Sequence, residues 1–158
     1  LIFPHHEMSA AQSRSMANQR FAQTYVHTGM IGLDGEKMSK SLGNLVFVSK
    51  LISSGVNPSA IRWALMKHSY EDDLMWNSGL IETATADIDR LQLNLARMEV
   101  APTDSVIQEI LDALSSNIDT PRAIAALNGW MKETESGVTG GVAGELGRAL
   151  DTLLGITL

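Results

Sequence analysis

The sequence predicts a mainly α-helical chain in which a short strand-and-loop segment comes first and a helical bundle follows. Three observations carry that prediction. Apolar residues recur at spacings of three and four through most of residues 78–154. Helix-start signals (Asn57-Pro58, Ser78 and Thr120-Pro121) stand ahead of the helical runs. Only the stretch from Val26 to Val48 combines β-branched residues with an Asp-Gly turn. The 158 residues, 44% of them hydrophobic and 19% charged, suffice to bury a core. No apolar run approaches the ~20 residues that a membrane-crossing helix needs, so no membrane role is expected. The absence of cysteine excludes a disulfide scaffold and any zinc site built wholly from this chain's thiolates. Leu1-Ile2-Phe3-Pro4 carries no initiator Met, basic segment or signal-type apolar stretch, which leads us to expect the later part of a longer protein.

Taken in order, Ser9-x-x-Gln12 resembles a capping box, and Ala10, Met16, Ala17, Phe21 and Tyr25 predict a helix from Ala10 to Tyr25 after an extended Leu-Ile-Phe-Pro lead-in. Val26 to Gly32 is short and β-permissive. Asp34-Gly35 should then reverse the chain into Glu36 to Ser41. Val46 and Val48 suggest a further extended piece or the start of a helix. Asn57 caps a helix with Pro58 at its first position and Ile61, Ala64, Leu65 and His68 on one face, ending near Tyr70.

From Glu71 onward the pattern is that of a bundle. Leu80, Ala84, Ile88, Leu91, Leu95 and Met98 form one stripe closed by Pro102, and Thr103 or Asp104 opens a helix with Val106, Ile107, Ile110, Leu111 and Leu114. Thr120-Pro121 opens the next with Ile124, Leu127, Trp130 and Met131. After a loop at Gly137, Gly140 and Gly141, the residues Val142, Leu146, Leu150, Leu153 and Leu154 form the last. We therefore divide the chain into residues 1–70 and 71–158. Trp63, Trp76 and Trp130 are expected to anchor packing, and the Met residues to fill gaps in the core.

Charge divides along nearly the same line. Through Ser69 seven Lys and Arg face three acids, giving +4; from Tyr70 five face fifteen, giving −10, which together make the net −6. A nucleic-acid-binding tail needs a basic stripe to neutralise phosphates, and this tail has the opposite sign.

The richest chemistry lies in Gly35-Glu36-Lys37-Met38-Ser39-Lys40-Ser41-Leu42-Gly43-Asn44. Two lysines three apart, among small hydroxyl residues and between glycines, make a loop able to hold two ammonium groups on a polyphosphate and offset the charge that develops as pyrophosphate leaves. A second cluster, Phe3-Pro4-His5-His6-Glu7, carries adjacent histidines. On an extended segment these point to opposite sides, so one of the two can reach a given metal while the other packs or hydrogen-bonds. His27 reads as a hydrogen-bonded packing residue, and His68 as a satisfied core histidine.

Lys37–Ser41 matches the signature loop of class I aminoacyl-tRNA synthetases. With the His-His-Glu segment ahead of it, in the same order and at similar separation, the chain resembles the cysteinyl-tRNA synthetases and their relatives, the cysteine ligases of mycothiol biosynthesis. Tyr25 to Gly32, Asn44 to Ser49 and Asp119 to Ile124 extend the likeness along essentially the whole chain. In the tRNA enzymes an Asn and a second Glu usually follow His-His-Glu and complete a four-ligand zinc site, whereas Met8 and Ser9 stand here. That is similar to the ligases, whose open zinc site has two Cys and one His and leaves room for a substrate thiolate.

The resemblance implies the C-terminal part of a class I, Rossmann-like catalytic domain, reduced to a short strand and the lysine loop, followed by the bundle. It implies an ATP-dependent, cytoplasmic ligase that forms cysteinyl adenylate and pyrophosphate, then joins cysteine to the amine of glucosaminyl-inositol with release of AMP. Lys37 and Lys40 match the signature lysines; Ile31, Met38, Ser39, Lys40 and Ser41 fall at the ATP and adenylate positions, and His5 at the zinc ligand. The two zinc cysteines and the His-x-Gly-His motif belong to an N-terminal part absent from this chain, which by itself is expected to be inactive. The competing reading is the C-terminal portion of a cysteinyl-tRNA synthetase. The acidic bundle and the want of a further tail after Leu158 favour a small acceptor over tRNA. An Arg often follows the counterpart of Tyr70 in both families, but Glu71 stands here, so no phosphate contact is carried over to that position.

Overall fold

A computed structural model of the chain describes residues 2–158. Leu1, the first residue of the expected extended lead-in, lies outside the described residues. Ile2–His6, where Phe3 has an extended backbone (φ −123°, ψ 139°), leads directly into α1, Glu7–Ala17. The expected helix therefore starts three residues early and stops eight residues short. Asn18 ends it by adopting a left-handed conformation (φ 48°), its N–H bonded to Arg14 O at 3.0 Å. Phe21 and Tyr25, which share the helical spacing, are instead exposed in irregular chain. None of the residues of α1 is buried, so no tertiary face extends it beyond that cap.

β1 (Ile31–Leu33) and β2 (Glu36–Lys37) form the expected hairpin. Asp34 at φ 54° and Gly35 at φ 83° are both left-handed, as the two-residue turn matching strand twist requires, and Leu33 pairs with Glu36. α2 (Val48–Ser53) resolves the open choice at Val48 in favour of a helix. α3 (Pro58–Met66) begins as expected, with Asn57 Oδ1 accepting from Ser59 N at 2.9 Å, but ends four residues earlier than Tyr70. β3 (Leu74–Trp76), not expected from the sequence, pairs in parallel with β1 and completes a three-stranded sheet in the order β2-β1-β3.

The bundle helices follow: α4 (Ser78–Leu95), α5 (Asp104–Ser115), α6 (Thr120–Glu135) and α7 (Ala143–Ala149), the last continuing as a wider turn through Leu154. Asn77 rather than Ser78 caps α4, its Oδ1 accepting from Leu80 N at 3.2 Å. Asp119 Oδ1 caps α6 through Arg122 N at 3.0 Å. α3 packs on α4, α5 lies along α6, and α4 meets both α6 and α7. Their shared core contains Trp63, Ile88, Leu91, Ile110, Leu127 and Met131 together with Leu146, Leu150 and Leu154. Met98, expected at the end of the α4 stripe, is fully exposed because the helix has already ended at Leu95.

All three tryptophans are buried. Trp63 Nε1 donates to Asp87 Oδ2 at 3.0 Å, which also takes Lys67 Nζ at 2.9 Å, and Trp130 Nε1 donates to Ala101 O at 3.0 Å. The packing thus ties α3, from the first segment, into the bundle that follows. The fold is mainly α with a small sheet, as the sequence predicts, and among the described residues no helix is long and apolar enough to cross a membrane.

Candidate active site

The β1–β2 hairpin delivers Lys37 at the end of β2, opposite Gly32, and the chain then turns back on itself. Asn44 closes the loop from inside. Its Oδ1 accepts from Ser39 N at 2.8 Å and its Nδ2 donates to Lys37 O at 3.2 Å. Ser39 Oγ accepts from Leu42 N at 3.3 Å and lies 3.2 Å from Ser41 Oγ, while Gly43, at φ 68°, donates to Lys40 O at 3.2 Å. Met38 and Ser39 are half-buried, whereas Lys37, Lys40 and Ser41 face solvent. The loop's own polar groups are spent on holding its shape, and its two ammonium groups remain open to an anion. Asn44 was visible in the sequence only as the residue after Gly43; its bracing role depends on a side chain reaching back across the turn.

Beside the hairpin, Ile31 (38% exposed) lines a cavity of about 520 Å³. Val26, Gly29, Leu65, Leu74 and Ile118 supply much of its apolar lining. The segment leading into β1 is fixed against residues 70–74. Gly29 N donates to Tyr70 O at 2.8 Å, Met30 N to Asp73 Oδ1 at 2.6 Å, and Leu74 N to Met30 O at 2.9 Å. A Cβ on Gly29 would sit 2.1 Å from Asp72 O, so only glycine permits this approach. His68 also lines the cavity and is exposed, which corrects the core position expected for it. The reason is local: α3 ends at Met66, and His68 N bonds Leu65 O at 3.2 Å in a tight turn that carries the ring off the buried face.

The histidine segment divides its labour. His6 Nδ1 lies 2.7 Å from His27 Nε2, so one ring donates and the other accepts, and Tyr25 flanks His6 at 6.2 Å between ring centroids. His27 is thus the hydrogen-bonded residue expected. His5 is exposed beside this pair. Among the described residues no three His, Asp or Glu side chains converge as a metal site, and the chain has no cysteine. The described residues do not make a zinc site on their own.

Three lines of likeness bear on this arrangement. Residues 1–86 match the family model described as the tRNA synthetases class I (C) catalytic domain. The chain belongs to that family. Over its whole length it is 43% identical to the L-cysteine:1D-myo-inositol 2-amino-2-deoxy-alpha-D-glucopyranoside ligase of Streptomyces coelicolor, and 48% identical to the ligase of the same name from Rhodococcus erythropolis. It spans 39% of the length of each of these relatives. In fold it is similar to the LeuRS of Agrobacterium radiobacter K84, solved in a ternary complex with tRNA and LeuAMS. That match has a TM-score of 0.64 at 17% identity and covers 95% of this chain and 23% of the other.

Proposed function

We propose that this chain is the C-terminal part of an ATP-dependent cysteine ligase of mycothiol biosynthesis, working in the cytoplasm. Residues 1–70 close the catalytic site and residues 71–158 form the bundle that supports it. The observation that carries the reading is the braced loop presenting Lys37 and Lys40 at the end of the hairpin whose first strand carries Ile31. The full-length likeness to ligases of that name supports it. In the first step a cysteine carboxylate oxygen attacks the α-phosphorus of ATP. The bond from that phosphorus to the bridging oxygen breaks, and pyrophosphate leaves with its added charge held by Lys37 and Lys40. In the second the amine of glucosaminyl-inositol attacks the acyl carbon, loses a proton and releases AMP. Ile31 bears on the adenylate, and Met38, Ser39 and Ser41 shape the loop around its phosphates.

His5 is proposed as the single zinc ligand from this chain, with two cysteines supplied by the N-terminal part of the same enzyme. Metal analysis of the full-length protein should find about one zinc per chain, reduced by His5→Ala. Undiminished zinc in that variant removes His5 from the site. The chain alone should catalyse no cysteine-dependent pyrophosphate exchange. The full-length protein should exchange, and should then transfer cysteine to glucosaminyl-inositol and not to tRNA. Efficient charging of tRNA would instead make the protein a cysteinyl-tRNA synthetase.

A further inference from the structure

Gly32 is buried although Ile31 and Leu33 on either side of it are not. It has no side chain of its own, so its cover comes from elsewhere. The strand register shows from where. Gly32 stands opposite Lys37 on β2 and opposite Met75 on β3, and directly opposed residues of paired strands project to the same face of a sheet. The Met75 side chain reaches over the empty middle of that row. A Cβ on Gly32 would lie 2.6 Å from Met75 Sδ, 2.8 Å from Met75 Cε and 2.9 Å from Glu36 O, so the thioether holds the place that a side chain at Gly32 would need. Met75 is not there as part of the core. It is 48% exposed, whereas Leu74 and Trp76 beside it are buried on the other face. The lysine hairpin otherwise has few ties to the rest of the chain: β2 is an edge strand paired with β1, and the hydrogen bonds that brace the loop run among residues 37–44.

From this we infer that Met75 is a positioning residue for the ligase reaction: lying over Gly32, it sets the place from which the Lys37 side chain leaves the sheet, and it ties the lysine hairpin to the chain that follows α3. The inference rests on the proposed work of Lys37 on the departing pyrophosphate. The chemistry of the row suits that role. A lysine ammonium group rides on a flexible four-carbon stem, so its charge is only as well placed as the stem beneath it. Opposite a bare glycine the stem has no neighbour in its own row, and Met75 fills that space from the far strand. An unbranched thioether can lie along such a gap, and the apolar stem of a lysine accepts apolar cover while its head stays in solvent. Because charge builds on pyrophosphate as its bond to the α-phosphorus breaks, a misplaced Lys37 slows that step more than it weakens the binding of ATP.

The test uses the full-length enzyme, with cysteine-dependent ATP–pyrophosphate exchange and thermal melting as readouts. Met75→Ala uncovers Gly32 and should lower kcat for exchange about 3–10-fold with KM for ATP within about twofold, the pattern of an interaction felt in the transition state. Since the side chain is half-exposed, the melting temperature should hold. Met75→Leu, which keeps an apolar chain of similar volume over Gly32, should recover most of the rate. The sharpest readout is the double variant. In a Lys37→Ala background Met75→Ala should cost nothing further, because its effect passes through the lysine. An unchanged kcat in Met75→Ala, or a loss that multiplies in full with that of Lys37→Ala, overturns the inference and leaves the ATP reading standing. A Met75→Ala enzyme that loses kcat and melting temperature together marks Met75 as purely structural and also overturns it. A wild-type enzyme that exchanges no pyrophosphate overturns both.

Discussion

The two ends of this chain solve opposite problems. From α3 onward nearly every helix contributes buried side chains to one core, and the strongest anchors, Trp63, Ile88, Leu127 and Met131, are at most marginally exposed. Before α3, the histidine segment, α1, the hairpin and the lysine loop bury almost nothing, Gly32 being the one buried residue among residues 2–58. Their shape comes from turns and local hydrogen bonds, with Asn18 ending a helix, Asp34-Gly35 reversing a hairpin and Asn44 bracing a loop. Charge divides a little further along, +4 ahead of Tyr70 and −10 from there on. The side chains proposed to meet a ligand stand outside the core, and the core holds the frame that carries them. Substitutions should therefore separate into those that unfold the protein and those that disarm it.

The largest effect on stability should come from Trp63→Ala. This side chain is wholly buried where α3 meets α4, and it also donates to Asp87. Its loss leaves a cavity and removes one of the two donors to Asp87 Oδ2, and should cost about 3–5 kcal/mol. Chemical denaturation should show that loss in the midpoint. A midpoint shift below about 1 kcal/mol would mean that the first segment and the bundle do not share their core. Lys40→Ala should behave in the reverse manner. Its side chain faces solvent, so the melting temperature should hold, while pyrophosphate exchange by the full-length enzyme should drop by about 10²–10³-fold, the usual effect of removing a group that meets developing charge. Retained exchange would leave the lysine loop without its proposed task.

The comparison also explains which parts were legible in the sequence. Asn57-Pro58, Thr120-Pro121 and Asp34-Gly35 each act through their own backbone preferences and mark their elements as read, although the cap ahead of Thr120 is Asp119, which the sequence did not single out for that role. The bundle stripes were legible because burial follows helical period, and they failed at Met98 and Val142, which lie outside their helices, and at Leu111, exposed at the edge of the α5 stripe. Phe21 and Tyr25 misled for the same reason, since spacing alone does not say where a helix without a buried face ends. β3 was not legible. It is three residues long, and its partner β1 lies more than forty residues away, so neither alternation nor local turn chemistry announces it. In the candidate site the lysines stood out through their string, whereas Asn44 acts through contacts that only the folded chain creates.

Asn44→Ala probes the middle ground, a side chain that shapes the loop without carrying its charge. Removing it frees Ser39 N and Lys37 O from their brace and should leave the lysines present but less well placed. At about 1–2 kcal/mol for the two lost hydrogen bonds, exchange should fall by about 5–30-fold, less than for Lys40→Ala, with the melting temperature nearly constant. Asn44→Asp should recover part of the loss, because a carboxylate still accepts from Ser39 N. An alanine variant as active as wild type would show that the loop orders itself around its ligand without this brace.

The smallest expected effect tests the bundle at its surface. Glu135 takes Arg90 in a two-pronged pair, with Nε and Nη2 donating at 2.7 and 2.6 Å, and Asn94 Nδ2 adds a third donor at 3.0 Å. These donors hold its carboxyl down to about 2, from an ordinary value near 4.5. A carboxyl lowered on folding adds stability that is fully present above its unfolded value and disappears as pH falls through its folded value. The contribution should thus persist at neutral pH and be lost between about pH 4.5 and 2. The pair is solvent-accessible, so the effect is modest and should shrink further in high salt. Melting temperatures of wild type and Glu135→Gln should differ slightly at pH 7 and converge toward pH 2. Curves that stay parallel across that range would mean that α4 and α6 hold together through their apolar contacts alone.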